Sequence, residues 1–522
     1  MADFVVFTEN TEWLKYFLEI GVISVLQRNF GSILRFTLAF LTLLLPQLIM
    51  GQSFNGYMHS DFSGIIGAQL QPANLAGSPY KYDISLVNAN YFLTNNIAYI
   101  KSTETSRGFV RYLNDGQRFL HSNIALGGIS GMATLRGDES VGFTYRMRAH
   151  GSAIDFSPEF ITQMGRFTQP QFLNSQATNQ SGKFATALWR EYGLTYAKIL
   201  KDDGFHRWKA GATFKLINPR GSAFLDIQDI SYSTDNSGNT DLTNAELAFG
   251  YSANLNSFEQ FDGIEKLDRL PDLIGNHFGL DFGVVYERVS YWEASKDENG
   301  TNRNRDIDYE FKLSASITDI GMMKFQYGSA STQSTGLLGN VNAENLDTLF
   351  SGIASFRGVA DSLATVAQTS SLNGEYTVSL PTTFNLGYDY NFGNDYYLGA
   401  FARIDLTSLS KVDYRLNYQH SLTISPRWEK EKKAIYAPLY INQQGAFHLG
   451  LAARYGAFTL GTQSLGSLLS SEPNTGSFFF SINISQLKAN AKKPYCFGPS
   501  RGTSMTNTKR TPIYKRKKWI FF

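Results

Sequence analysis

Over residues 141–149 the chain alternates with period two: Val141, Phe143, Tyr145, Met147 and Ala149 share one side of an extended segment, and Gly142, Thr144, Arg146 and Arg148 share the other. Successive side chains of a strand point to opposite faces of the sheet. A strand with four bulky apolar groups on one face and two arginines on the other has apolar surroundings on one side and water or polar partners on the second. The pattern recurs. Tyr192, Leu194 and Tyr196 oppose Gly193, Thr195 and Ala197. After the turn at Lys201-Asp202-Asp203-Gly204, the residues Trp208, Ala210, Ala212, Phe214 and Leu216 oppose Lys209, Gly211, Thr213 and Lys215. Two such runs joined by a short polar turn read as a hairpin.

Further strands are drawn at 82–93, 123–135, 221–231, 278–290, 307–318, 374–391, 395–405, 412–425, 432–442, 445–455 and 476–484, separated by turn chemistry such as Arg136-Gly137-Asp138, Gly393-Asn394-Asp395 and Gln444-Gly445. With shorter candidates included, about 14 to 18 strands result. Barrels of this kind alternate short turns with long loops, but two short connections follow one another between residues 200 and 244. At least one strand there is misdrawn.

Composition supports a membrane setting. Only 18% of residues are charged, against about 25% in soluble domains, while 14% are aromatic and 46 are glycine. Residues 36–50 form an apolar run preceded by Arg28 and Arg35 and followed by Gly51-Gln52-Ser53. This is the layout of a secretory signal with cleavage near Gln52. The run is broken by Pro46 and Gln47 and falls short of the roughly 20 residues needed to span a bilayer. No longer apolar run follows. A chain that enters a membrane without an apolar helix does so as a closed barrel, which leaves no backbone group unpaired. The expected fold is therefore all-β, a large transmembrane antiparallel barrel of the bacterial outer membrane. Its parts are an N-terminal extension and signal over 1–51, a plug or lead-in over 52–81, the barrel over 82–485 and a basic tail over 486–522.

Three segments do not read as strands. Residues 54–78 are rich in Gly, Ser, Asn and Ala, with Gly64, Gly67, Pro72 and Asn74 as the residues of a segment that could cross the lumen as a plug; a disordered lead-in is the plainer reading. Residues 258–274 suggest a short helix ending at Pro271. Residues 344–366 place Leu346, Leu349, Phe350, Ile353, Phe356, Val359, Leu363 and Val366 at three- and four-residue spacing, an amphipathic helix within an insert of about 340–370. It serves as plug, lid or docking element, or simply packs on its own barrel.

Taken in order, several strings resemble the outer-membrane barrel family known as domain of unknown function 5723. They are Asn55-Gly56-Tyr57 with Pro72-Ala73-Asn74-Leu75-Ala76, Glu191-Tyr192-Gly193-Leu194-Thr195-Tyr196, Gly283-Val284-Val285-Tyr286-Glu287 and Ser316-Ile317-Thr318-Asp319-Ile320-Gly321. Leu380-Pro381-Thr382, Pro426-Arg427-Trp428-Glu429 and Tyr436-Ala437-Pro438-Leu439 complete the set. The resemblance spans roughly 53–485 and implies a barrel without an assigned activity. Gln71-Pro72-Ala73-Asn74 is also similar to the Asn-Pro-Ala signature of long-chain fatty-acid channels, with Gln71 in place of the usual Asn. There the segment enters the lumen as a hatch, which favours the plug.

A search for chemistry finds little. The single cysteine excludes a disulfide framework, and the 7 histidines stand in unrelated contexts. No zinc-protease, nucleophile-elbow, phosphate-loop or dinucleotide pattern occurs. No catalytic residue, metal or cofactor is expected. Arg136-Gly137-Asp138 is read as a turn rather than an adhesion tripeptide. Arg146, Arg148, Lys209 and Lys215 are expected to face the lumen, paired inside a filled barrel or attracting anions at a constriction. Asp226, Asp281 and Asp389 are candidate lumen acids. An arginine in place of Val141, Phe143, Tyr145 or Met147 would face lipid at a cost of about 2–4 kcal/mol, and one at Gly142 or Thr144 would cost much less.

The last 38 positions hold Lys488, Lys492, Lys493 and seven further basic residues with no Asp or Glu, so the rest of the chain is net acidic although the whole carries +2. Nucleic acid is not an expected partner. Outer-membrane lipid is, and an envelope protein could meet the helical insert or the basic tail. Three functions stay open: a structural or accessory component of an envelope complex, a passive channel for small or hydrophobic solutes, and, with least support, a surface enzyme.

Overall fold

The computed structural model describes residues 55–102, 107–111, 116–136, 138–163, 169–237, 239–257, 277–289, 307, 309–337, 340–342, 355–365, 367–470 and 473–488. The chain falls into two units, Met1–Lys488 and Ala489–Phe522, and every described residue belongs to the first. The signal-like run, the helix expected at 258–274 and nearly all of the basic tail lie outside the described residues.

In chain order the strands are β1 (Tyr80–Asn95), β2 (Ala98–Ser102), β3 (Arg107–Arg111), β4 (Arg118–Gly127), β5 (Ser130–Arg136), β6 (Glu139–Phe156), β7 (Ser175–Asp202) and β8 (His206–Thr234). Then come β9 (Asn239–Tyr251), β10 (His277–Val289), β11 (Tyr309–Gln326), β12 (Thr332–Leu337), β13 (Asn340–Asn342), β14 (Ala367–Ser371), β15 (Glu375–Ser379) and β16 (Thr383–Gly393). The last are β17 (Tyr396–Asp405), β18 (Ser421–Glu429), β19 (Lys433–Tyr436), β20 (Leu439–Asn442), β21 (Phe447–Leu449), β22 (Leu451–Tyr455), β23 (Phe458–Thr462) and β24 (Thr475–Leu487).

Followed from neighbour to neighbour, β1, β4 with β5, β6, β7, β8, β10, β11, β16, β17, β18, β19 with β20, β21 with β22, β23 and β24 return to β1. These are fourteen wall positions, antiparallel throughout, and the last is closed by a ladder that runs from Tyr80↔Leu487 to Thr94↔Thr475. Closure leaves the ring itself without a free edge. The outward residues are apolar and exposed, as at Phe143, Leu194, Phe214, Val284 and Leu460, with aromatic side chains such as Tyr192, Tyr196, Trp208 and Tyr455 among them. A ring with this outer belt is the form in which strands cross the bacterial outer membrane. No helix among the described residues is long and apolar enough to cross.

At the end where β1 begins and β24 finishes, most connections are tight, such as those joining β5 to β6, β7 to β8, β16 to β17 and β22 to β23. At the opposite end longer segments intervene, such as 406–420 and 463–474. β7 and β8 contain 28 and 29 residues, far more than the roughly ten that span a bilayer, so their distant halves stand clear of the wall proper. β8 also corrects the sequence reading: the strands drawn at 207–217 and 221–231 are one. Trp189 pairs with Pro219 and Leu188 with Gly221, so Arg220 is an extra residue in a bulge, where a proline without an N–H is tolerated. With a single strand there, the two successive short connections disappear. Other boundaries shift for similar reasons: 374–391 is broken at Leu380-Pro381-Thr382, and of 412–425 only residues from Ser421 onward are strand.

Within the segment expected as a long amphipathic helix, the described part is helical over Phe356–Leu363, with the Ser355 side chain accepting from the Gly358 N–H. Phe356, Val359 and Leu363 are buried with Ala223, Leu225 and Ile227 of β8 and Phe249 and Tyr251 of β9. The Phe356 ring stacks on Tyr251 at 4.5 Å. This helix therefore packs on its own chain. Residues 343–354 and 366 lie outside the described residues.

Candidate functional site: an obstructed lumen

Residues 55–78 precede β1 and thread the inside of the ring, because they touch walls on all sides of it. They form two short helices, Asn55–Met58 and Gly64–Ala68, and a 3-10 turn at Pro72–Leu75. Gly64 has φ +53°, and a Cβ there would lie 2.1 Å from Asp83 Oδ2 of β1, the carboxylate that accepts the Ile65 N–H at 2.9 Å. Gly67 and Pro72 are buried, and Asn74 is partly so, its N–H donating to the Gln71 carbonyl. Gln71 reaches further. Its Oε1 accepts from Ala73 N–H, and its Nε2 donates to the carbonyls of Val284 at 3.2 Å and Ala315 at 2.9 Å. Wall glycines make the seat, since a Cβ on Gly211 would lie 2.6 Å from Ala73 N and one on Gly283 only 1.6 Å from Gln71 Oε1.

Polar side chains of the inner face tie this segment down. The Lys312 ammonium donates to Asp61 at 2.7 Å, and the Tyr309 hydroxyl lies 2.6 Å from the same carboxylate. The Ser60 hydroxyl donates to Glu429, which also accepts from Tyr436 at 2.7 Å. Arg427 bridges Glu429 and Asp389. Burial acts to raise the Asp61 carboxyl, but Lys312 and Arg427 outweigh it and hold Asp61 below the ordinary carboxylate value. His59 lies flat on Phe401 at 3.4 Å. Burial, reinforced by Arg403, Lys312 and Arg427, pushes its imidazole well below the usual value, so it sits there neutral.

The four cations singled out in the sequence fall into two groups on the interior face. Arg146 Nε donates to Glu191 at 2.7 Å and its Nη1 to Gln69 of the threading segment at 2.8 Å. Arg148 joins Glu191 at 3.2 Å to Asp319 at 2.8 Å, and Lys215 joins Asp319 at 2.6 Å to Asp281 at 2.7 Å. Three cations and three carboxylates thus make one continuous, charge-balanced row across the barrel. Lys209 belongs elsewhere, with Arg207 on Glu287. Asp389 lies with Arg427, and Asp226 lies near the long-loop end beside Lys183 of β7. The carboxylates Glu191, Asp319, Glu287 and Asp61 were missed in the sequence. Parity offered a signal for two of them, since Glu191 shares the inner face with Gly193 and Thr195, and Glu287 shares it with Asp281; for Asp319 and Asp61 nothing local marks the partner.

One sequence expectation meets an occupied inner face. Gly142 faces inward, but a Cβ there would lie 2.7 Å from Ile65 Cδ1 and 2.9 Å from Leu75 Cδ1. The inner face at this level is occupied by the threading segment, so an arginine at Gly142 must push aside the ends of these two side chains.

Above the charged row, a cavity of about 250 Å³ opens at the long-loop end, lined among others by Ile154, Lys183, Ala185, Asp226, Asp413 and Tyr414. Among the described residues no group of three or more His, Cys, Asp or Glu is placed to hold a metal ion.

The family of unknown function DUF5723 has a model that matches residues 72–463. No curated protein matches the chain. Among solved structures, the chain is similar to the Ralstonia pickettii toluene transporter TbuX at 10% identity and a TM-score of 0.37, covering 81% of this chain and 94% of that one. It is similar to a Pseudomonas aeruginosa FadL homologue at 11% identity and a TM-score of 0.35, covering 80% and 93%. The translocator domain of the autotransporter NalP from Neisseria meningitidis is a further likeness, at 6% identity and a TM-score of 0.27, covering 76% and 88%.

Proposed function

As a member of the family of unknown function DUF5723, a chain whose ring is closed and whose lumen is stopped by its own amino-terminal residues, this barrel is, we propose, a passive and normally shut channel for small solutes. The observation that carries the reading is the continuity of the inner face. On β6 and β7 the paired positions Arg146↔Glu191, Arg148↔Trp189, His150↔Ala187, Ser152↔Ala185 and Ile154↔Lys183 run without change of side from the threading segment to the cavity. What stands in the way is one short segment held by hydrogen bonds and ion pairs, together with side chains, rather than a strand of the wall.

Deletion of residues 55–78 leaves every wall strand intact and is expected to raise single-channel conductance in planar bilayers and the uptake of small solutes. Unchanged conductance in a barrel that still folds rejects the channel. Maturation by cleavage near Gln52 belongs to the same reading, because the threading segment would then lie close to the new amino terminus; amino-terminal sequencing of the membrane-fraction protein tests it, and retention of residues 1–30 rules it out. The reading calls for no catalysis.

A second reading, a structural or accessory component of an envelope complex, draws on the basic run after β24. The helix Phe356–Leu363 lends it little, since its apolar side is spent on β8 and β9. Loss of a co-purifying protein on removal of residues 489–522, with conductance unaltered, would favour it.

A further inference from the structure

The cavity at the long-loop end has a floor and a roof of different origin. The floor is the inner face of β6, β7 and β8, in two rows set by register: Ser152↔Ala185↔Phe224, and beyond it Ile154↔Lys183↔Asp226. The β8 bulge at Arg220 turns Asp226 inward, for without that extra residue the odd-numbered side chains of β8, such as Lys215, would continue on this face. The roof is the segment 412–417, pinned by Asp413, which accepts from the Thr377 N–H at 2.6 Å. It is also pinned by Tyr414, whose ring stacks on Phe224 at 3.5 Å.

Asp413 is thus engaged, and Arg415 donates to the Ser410 carbonyl. Lys183 and Asp226 are not engaged in this way. They are direct cross-strand neighbours on β7 and β8, yet Asp226 Oδ1 is buried without a hydrogen-bond partner among the described residues. A buried carboxylate oxygen without a partner is costly. Opposite charges side by side on one wall, beneath an aromatic ring and in a space below the roughly 300–1,000 Å³ of drug-sized pockets, suit a compact ligand bearing both charges.

We infer that this cavity is a docking site for a small zwitterionic solute of amino-acid or dipeptide size, its ammonium on Asp226 and its carboxylate on Lys183. The inference rests on the channel reading in taking the ligand as a solute that docks at the mouth before passage. Charge-assisted hydrogen bonds at both ends supply the recognition, and a purely apolar solute would leave Asp226 unpartnered.

The test uses the full-length barrel in nanodiscs, with glycylglycine as probe and calorimetric titration as readout, and with N-acetylglycine, glycinamide and toluene as competitors. Glycylglycine is expected to bind saturably. Asp226→Asn and Lys183→Met are each expected to weaken it at least about tenfold, which corresponds to about 1.4 kcal/mol. Each single-charge competitor should displace it poorly, and toluene not at all. Absence of saturable binding, equal binding by both variants, or displacement by toluene alone overturns the inference. Should a variant fail to fold, the competition series on the unaltered barrel decides. Binding is read without any conductance, so the two proposals fail separately: a deletion of residues 55–78 that conducts while the barrel ignores glycylglycine sinks only the docking site. Glycylglycine binding to a barrel that conducts nothing after the deletion sinks only the channel.

Discussion

Glu191 is the residue on which the charged row turns, because one buried carboxylate serves Arg146 through one oxygen and, through the other, Arg148 and the Trp189 indole N–H at 3.0 Å. Removing one partner of a buried ion pair leaves the other charge stranded, at a cost of about 3–5 kcal/mol. Glu191→Gln is therefore expected to lower the stability of the barrel by that order in urea-dependent folding into lipid vesicles. Loss of the half-exposed Lys198–Glu139 pair should cost under about 1 kcal/mol. Equal effects from the two changes would show that the row does not hold the barrel together. At this scale Arg146, Arg148, Lys209 and Lys215 stand out in the sequence as charges on the polar side of alternating strands, and in the structure all four are buried. The sequence did not mark the acids so plainly. A carboxylate such as Asp319 sits in an Asp-Ile-Gly string that reads as a turn, and in the structure Asp319 is a left-handed residue with φ 61° beside the cations.

β6 shows what a single element can and cannot decide. Its burial follows the parity read from the sequence, with Phe143 exposed and Gly142, Thr144, Arg146 and Arg148 buried. Phe143→Arg is expected to destabilise folding by about 2–4 kcal/mol, the cost of an arginine on the lipid face near the midplane. Gly142→Arg acts differently. Its side chain collides with Ile65 and Leu75, so the ring should still form while the threading segment is displaced, and the measurement that checks this is conductance rather than stability. A Gly142→Arg barrel with unaltered conductance would mean that the segment tolerates the intruder. The inner face of a strand is thus open to substitution only where nothing else in the chain occupies it. The same limit explains β8, whose two halves look like separate strands around Asn218-Pro219-Arg220. A bulge carries the ladder across the proline, and a bulge is defined by two strands together.

At the scale of the whole molecule, the ring depends on the pairing of the first wall strand with the last. Ala89 of β1 pairs with Phe480 of β24. With Cys496 replaced by serine, the double variant Ala89→Cys, Phe480→Cys is expected to form an intramolecular disulfide that shifts mobility in denaturing gels, since paired residues lie within about 4.5–5.5 Å. Ala89→Cys with Ser485→Cys, out of register, should not; crosslinking of both pairs alike would refute the closure described. The family match and the ring agree with the barrel expected from period-two alternation, and the ring of fourteen lies within the expected range. Alternation is a property of neighbours along the chain, so the sequence by itself determined that these segments are strands, which of their faces meets lipid, and that no helix need cross the membrane. Arg146 and Glu191 meet as cross-strand neighbours, but which charge meets which across the lumen was decided only on closure. Arg148 and Asp319 are 171 residues apart and Asp61 and Lys312 are 251 apart, and no local pattern couples positions at such separations. The occupancy of the lumen by residues 55–78 follows from the same cause, for it needs opposite walls brought to a fixed distance before a side chain has anything to touch, whereas the turning of Asp226 to the face of Lys183 needs only the neighbouring strands β7 and β8 and the bulge between them.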